Sequence, residues 1–310
     1  GTSAGMDFAV TYATDLFDPS TIVTLAGWLE RMLSAVVLDP TPAVGDIDMF
    51  GTGDTVLINE LKAAGYPYIE GKSGIGISVL IPSSANEGSP LADPRVRKAI
   101  SHAIDRKGLA EARGYGVVEP AEQLAAPGWA AYLEDYQTAS YNPDEAKRLL
   151  AEAGYANGFS TKLIPAPWVD KDTVVALQQF LKQVGIQAEI ETPDSARYRE
   201  YQTKGWDGLL VQPWGYFANY NRFIQFYFLG GPEGFVSMKK PEELQRLWDE
   251  SRSTPEQDPA KVQAVHRLLL DDMTVIPVSA ASRYYFMQDY VKDTNHMNWA
   301  SWPWWTPAEA

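Results

Sequence analysis

At 310 residues the chain is long enough for one large or two ordinary domains with a sizeable core. Its 40 acidic and 26 basic residues give a formal charge of −14, which opposes contact with a phosphate backbone and excludes nucleic acid as the expected partner. The absence of cysteine removes disulfides, thiolate nucleophiles and sulfur-ligated zinc, and no run approaches the ~18 apolar residues of a membrane-spanning helix.

The first residues, Gly1 to Met6, lack the basic start and apolar core of a signal peptide and read as a processed or engineered end, with a leader expected to have been removed. Ile22 to Val37 has a helical pattern, broken by Asp39-Pro40-Thr41-Pro42 ahead of Gly45-Asp46-Ile47-Asp48. Gly71-Lys72-Ser73-Gly74-Ile75-Gly76 reads as a turn into a strand at Ile77 to Ile81. It fails as a nucleophile elbow because Ile75 stands where the second glycine is required, and it fails as a phosphate loop because no helix follows.

Three helices share a start of short polar cap plus proline: Asp93-Pro94, Asn142-Pro143 and Asp258-Pro259. In the first, read from Pro94 to Arg106, residues Val96, Ala99, Ile100, Ala103 and Ile104 form one apolar face, and Arg95, Lys98, His102 and Arg106 form a polar stripe expected to be solvated or lobe-facing. In the second, Asn142 and Glu145 have capping-box spacing and Gly154 supplies the stop. The third carries Val262, Val265, Leu268, Leu269 and Met273 toward a core.

Between them Phe159 to Pro165 reads as a strand, Asp172 to Val184 as a helix and Gln187 to Glu191 as a second strand, which is a βαβ unit. Ser195 to Lys204 is a weaker helix and Trp206 to Gln212 a third strand, so the pattern predicts an α/β lobe. After Ile276-Pro277-Val278 the chain turns strand-like to Met287 and ends in a tail with Trp299, Trp302, Trp304 and Trp305, expected to pack on another segment.

Ligands of open parallel sheets bind beyond the carboxyl ends of the strands. The segment from Pro213 to Phe223 follows the third strand and concentrates rings and amides, so Trp214, Tyr216, Phe217, Asn219, Tyr220 and Asn221 are the candidate ligand-binding residues. Trp168, just beyond the first strand of the βαβ unit, joins them on the same geometric ground. Each ring has a competing reading as core or as loop packing.

Catalytic constellations are sparse. Of the three histidines, His102 belongs to the polar stripe of the first helix and His266 and His296 have no motif around them, and Asp271 and Asp272 are adjacent on a helix and point apart. No His-Glu-x-x-His or Asp-rich calcium loop is present, so neither a metal nor another cofactor is expected. An enzyme reading would need a serine with His102 or His266 and a carboxylate; a third reading is a partner-binding module with a flat apolar patch.

The strings Pro90 to Leu109, Tyr141 to Tyr155 with Asn157-Gly158-Phe159, and Leu177 to Ile186 occur in the order and spacing of one family. Over residues 44 to 290 the chain resembles the peptide/nickel class of extracytoplasmic solute-binding proteins that serve ABC importers. The resemblance implies a Venus flytrap of two lobes closing on a peptide or other small solute, delivery to ABC permease subunits in the membrane, a monomer, no chemistry, and a periplasmic or membrane-associated extracellular location. It also implies a fold in which residues 1–82 are a remnant of the first lobe, 83–277 form an α/β second lobe with a mixed, mainly parallel sheet, and 278–310 return to the first lobe. Against that pattern the first lobe looks incomplete and the chain N-terminally shortened. Peptide-binding members resemble Trp-x-x-Asp after the third strand, where the aspartate holds the peptide ammonium; here Trp214 matches and Phe217 stands in the aspartate's place. The loss of a charge-assisted bond of about 1.5–3 kcal/mol favours a neutral, flat or sugar-like solute over a peptide.

Overall fold

The computed structural model describes residues 49–113, 116–136, 140–215, 219–229, 234–253 and 258–288. The expected helix at 22–37, the Gly45 turn, His296, the tryptophan-rich tail, Tyr216 and Phe217 lie outside the described residues. The chain divides into two compact units, Gly1–Phe50 with Met287–Val291, and Gly51–Phe286 with Lys292–Ala310. Nearly all described residues belong to the second.

That unit is built on a mixed sheet. Strand β1 (Met49–Thr52) leads into helix α1 (Thr55–Ala63), and the remaining strands are β2 (Tyr68–Pro82), β3 (Val118–Pro120), β4 (Phe159–Pro165), β5 (Ile186–Ile190), β6 (Leu209–Gly215) and β7 (Ile276–Met287). From β7 the order runs β7-β2-β6-β4-β5, with β3 also pairing β7. Strand β4 pairs parallel with β5 and with β6, which is the βαβ arrangement expected from the sequence. Strands β2, β3 and β7 add antiparallel ladders. Ile77 to Pro82 pair residue by residue with β6, and β2 pairs β7 along most of its length.

Alternating side chains feed two cores, one on each face. Ile77, Val79, Ile81, Ile164, Leu210 and Trp214 join one cluster, and Leu80, Leu163, Leu209 and Val211 join the other. The second cluster is closed by α2 (Pro94–Ala103), α3 (Arg106–Arg113), α4 (Pro143–Glu152) and α5 (Lys171–Gln183), the first by α6 (Ser195–Lys204), α7 (Tyr220–Tyr227), α8 (Leu244–Ser251) and α9 (Pro259–Asp271) together with the segment 121–133. The proline-led helices start as their sequence dictates: Asp93, Asn142 and Asp258 each cap with a side-chain oxygen on a backbone N–H.

One expectation is corrected here. The apolar face from Val96 to Ile104 does not lie on one unbroken helix, because α2 ends at Ala103 and Ile104 is extended (φ −89, ψ 114). Asp105 then begins α3 by accepting from the Gly108 N–H at 2.8 Å. The break turns Arg106 inward to 5% exposure, where Nε donates to Pro277 O at 2.8 Å and the Nη atoms to Ser101 O and Oγ at 3.0 and 2.8 Å. Arg106 is thus a buried staple and not part of a solvated stripe. Burial pulls its pKa down to about 10, which leaves it protonated at neutral pH. Arg97, 1% exposed, plays the same role toward Leu91 O, Ala92 O and Asp272 O.

Candidate functional site

Directly paired residues of neighbouring strands share a face of the sheet. Ser78 on β2 pairs with Ser279 on β7 and with Pro213 on β6, and Ala281 pairs with Val118 on β3. This row of small side chains with Pro213 forms the floor of a cavity of about 840 Å³. Its walls come from the start of α1 (Gly53 to Val56), from Leu109 of α3, and from Pro167 to Thr173, the segment that leaves the carboxyl end of β4 and enters α5. The position is the one that parallel sheet topology reserves for ligands.

Two of the most exposed large apolar side chains among the described residues, Trp168 at 62% and Val56 at 53%, line this one cavity, although 112 positions separate them (168 minus 56). Trp168 is held by an edge contact with Tyr198 of α6, ring centroids 6.0 Å apart. Tyr198 is in turn fixed in the core by its hydroxyl, which donates to Gln212 Oε1 at 2.6 Å. The indole is therefore pre-positioned by a buried partner while its surface stays open, an arrangement suited to stacking on a solute.

The polar walls are set by helix capping. Asp54 Oδ1 accepts from the N–H groups of Val56 and Leu57, both at 3.0 Å, and Asp170 Oδ2 accepts from the N–H and the hydroxyl of Thr173, both at 2.9 Å. Lys171 and Asp172 complete the rim. Among the described residues no group of three or more His, Cys, Asp or Glu side chains could hold a metal ion.

The structure places the other sequence candidates differently. Trp214 is the last inward residue of β6, 1% exposed, stacked on Tyr227 at 4.3 Å and edge-on to Phe223, Phe228 and Phe235. Tyr220, 2% exposed, stacks on Phe223. Asn219 caps α7 through Arg222 N, and Asn221 binds Ser251 by Nδ2 to its carbonyl and by Oδ1 to its hydroxyl. These four residues build the aromatic core beneath the sheet end and do not line the cavity with Trp168. What the sequence reading missed are Val56, Asp54, Ser78 and Ser279. The Asp54-Thr55-Val56-Leu57-Ile58 string carries a cap-plus-apolar signal that marks α1, but nothing local brings it beside β4.

The histidines are accounted for. His266, fully buried, donates from Nδ1 to Ala131 O at 2.7 Å and accepts the Leu124 N–H on Nε2 at 3.1 Å, which defines a neutral ring; burial pulls its pKa down to about 4. His102 Nδ1 lies 2.7 Å from Ser140 O. A second recess, about 880 Å³, lies between α8 and α9, but Arg246 there is already paired with Glu243 and Glu250, and Arg252 with Asp249.

The family model described as "Bacterial extracellular solute-binding proteins, family 5 Middle" matches residues 42–234. The glutathione-binding protein GsiB of Escherichia coli (strain K12) is 37% identical over 123 residues, which is 37% of this chain and 23% of that protein. Among solved structures, HbpA2 from Haemophilus parasuis superposes with a TM-score of 0.70 at 20% identity, covering 83% of this chain and 53% of the other. A dipeptide-binding protein of Pseudoalteromonas sp. SM9913 in complex with Met-Leu gives a TM-score of 0.71 at 16% identity, covering 87% and 54%. The chain thus spans about half the length of the structures it resembles, and the shared fold is that of periplasmic binding proteins.

Proposed function

The chain belongs to the bacterial extracellular solute-binding proteins of family 5, and from that membership we propose that it is the solute-binding component of an ABC importer and not an enzyme, acting in the periplasm or at the outer face of the membrane. The observation that carries the reading is the cavity at the carboxyl ends of β4 and β6, where Trp168 and Val56 stand exposed over a floor of Ser78, Pro213 and Ser279. A small solute or peptide stacks on Trp168, and the flanking hydroxyls and carboxylates orient it. Trp214 and Tyr220 support the site from the core. The solute-loaded chain is a monomer that presents its cargo to permease subunits. In a two-lobed binder, closure follows from contacts that a solute makes with both lobes, and this α/β unit supplies one of those surfaces.

Hydrolysis finds little support in the same geometry. His266 uses both ring nitrogens on backbone groups, and His102 Nδ1 rests against the Ser140 carbonyl, so neither is coupled to a serine hydroxyl through those atoms. Among the described residues no helix is long and apolar enough to cross a membrane.

The test is native mass spectrometry of freshly purified protein for a co-purifying solute, followed by thermal shift against peptides, sugars and aromatic solutes. A true ligand raises the midpoint with dose, since stabilisation follows RT ln(1 + [L]/Kd). A flat response across the panel, with no co-purifying mass, contradicts the reading.

A further inference from the structure

Building on the solute-binding reading, we propose that the floor of the Trp168 cavity is a hydroxyl subsite for a neutral sugar. Ser78 and Ser279 bind hydroxyl groups of a pyranose ring whose carbon face lies on the indole. The first observation is a buried hydroxyl left unpaired. Buried polar groups are as a rule hydrogen-bonded, and each exception calls for an explanation. Ser83, Ser84, Ser101, Ser237 and Ser251 are all buried, and the hydroxyl of each has a partner at 2.5–3.0 Å. Ser279, 9% exposed on the cavity floor, has none among the described residues. Unlike the enclosed indole nitrogens of Trp206 and Trp214, its oxygen opens to the cavity. The half-buried hydroxyls of Ser78 and Thr55, on the same cavity, also lack a partner among the described residues.

The second observation is that the pair is held without using its hydroxyls. Ser78 and Ser279 are directly opposed across β2 and β7, which sets their Cβ atoms about 5 Å apart on one face. There the register shifts: the next residue, Val79, pairs with Pro277, so Val278 is an extra residue in β7. A bulge of this kind re-aims the side chains beside it. Arg106 Nε braces the Pro277 carbonyl at 2.8 Å, and the Ala121 N–H holds the Val278 carbonyl at 3.3 Å. Backbone thus fixes the serines, and each hydroxyl stays available as donor and acceptor.

Third, the cavity matches the two surfaces of a sugar ring. A group that both donates and accepts pairs with another hydroxyl, and a pyranose carries several around a ring with an apolar carbon face. That face needs an open aromatic partner, which Trp168 supplies at 62% exposure, backed by buried Tyr198. Ser78, Pro213, Ser279 and Ala281 give the floor hydroxyls and small apolar surface, which let a ring approach the strands closely. A volume of about 840 Å³ lies within the range of small-molecule sites.

Glucose, cellobiose and maltose are the probes, each titrated calorimetrically into the full chain beside the dipeptide Met-Leu. At least one sugar is expected to bind saturably and more tightly than Met-Leu. Ser279→Ala and Ser78→Ala each weaken that sugar about three- to tenfold, and Trp168→Ala weakens it about tenfold or more. Neither serine variant lowers the thermal midpoint of the unliganded chain, because the hydroxyls bond nothing in it; a merely structural role would lower it. A midpoint that falls together with affinity, or sugar affinity unchanged in both serine variants, overturns the proposal. If a peptide or another solute binds and no sugar does, the sugar subsite is wrong and the solute-binding reading stands; if nothing binds, both fall.

Discussion

Trp168 and Tyr198 meet edge on, their ring planes at 69° and centroids 6.0 Å apart, so that the most exposed large apolar ring among the described residues rests on one that is 1% exposed. The contact joins the end of β4 to α6, and through the Tyr198 hydroxyl on Gln212 it joins both to β6. Removing that hydroxyl tests whether the indole is positioned from below. Tyr198→Phe leaves Gln212 Oε1, in the core, with one hydrogen bond fewer and is expected to lower stability by about 1 kcal/mol. It is also expected to weaken solute binding a few-fold, as read by urea denaturation and calorimetry on the same preparation.

The buried histidine gives the fold an acid-sensitive point. His266 has a folded pKa of about 4, below its unfolded value of 6.5, so between these pH values the unfolded chain binds the extra proton. The sign follows: the term is absent above pH ~6.5, destabilises progressively as pH falls toward 4, and levels off below that, at a total of about 3 kcal/mol. His266→Gln removes the titration. Urea midpoints at pH 7.5 and 4.5 should fall less in the variant than in the parent; equal falls would show that the ring does not titrate in this window.

Arg106 is expected to tolerate no cationic replacement. Its fork reaches Pro277 O, Ser101 O and Ser101 Oγ together, linking α2 and α3 to the first residues of β7 across 171 positions. Lysine keeps the charge but offers one nitrogen, so Arg106→Lys should cost about 1–3 kcal/mol through carbonyls left unpaired. Chemical denaturation reads this directly.

The same residue shows how far the sequence could be read. Strand β4 was legible to its end residues and α5 to within one, because their signals are local: apolar periodicity, the Asp170 cap, and a glycine in the turn that follows. Arg106 was not legible, since the carbonyl that draws it inward lies 171 positions away and the apolar spacing is equally compatible with an unbroken helix. The inward turn of Trp214 was hidden for a related reason. Ending the third strand at Gln212 puts Trp214 in a ligand loop, whereas β6 runs to Gly215 and the alternation of its last residues turns Trp214 into the core. Trp168 could be placed beyond the end of β4 because that place depends only on where the strand ends. Val56 and Ser78 become its neighbours through strand pairings of long sequence separation, which a single chain does not announce.

The turn at Asn157-Gly158 carries a steric requirement. Gly158 has φ +74, and a Cβ there would stand 1.9 Å from Gly185 O, in the turn that leads from α5 into β5. Backbone cannot yield as a side chain does, so Gly158→Ala should destabilise by about 2 kcal/mol or more and separate the starts of β4 and β5. Amide exchange along Phe159 to Thr161 is the sensitive readout, with protection lost there before it is lost in β6.

The central claim is that a solute is held at the Trp168 cavity. Its most direct test is calorimetric titration of the parent chain and of Trp168→Ala with whichever solute co-purifies or emerges from the thermal-shift panel. The account predicts saturable binding to the parent and a loss of about tenfold or more in affinity on removing the ring, with the unliganded midpoint little changed because the indole is largely exposed. Equal affinity in the two proteins would contradict it.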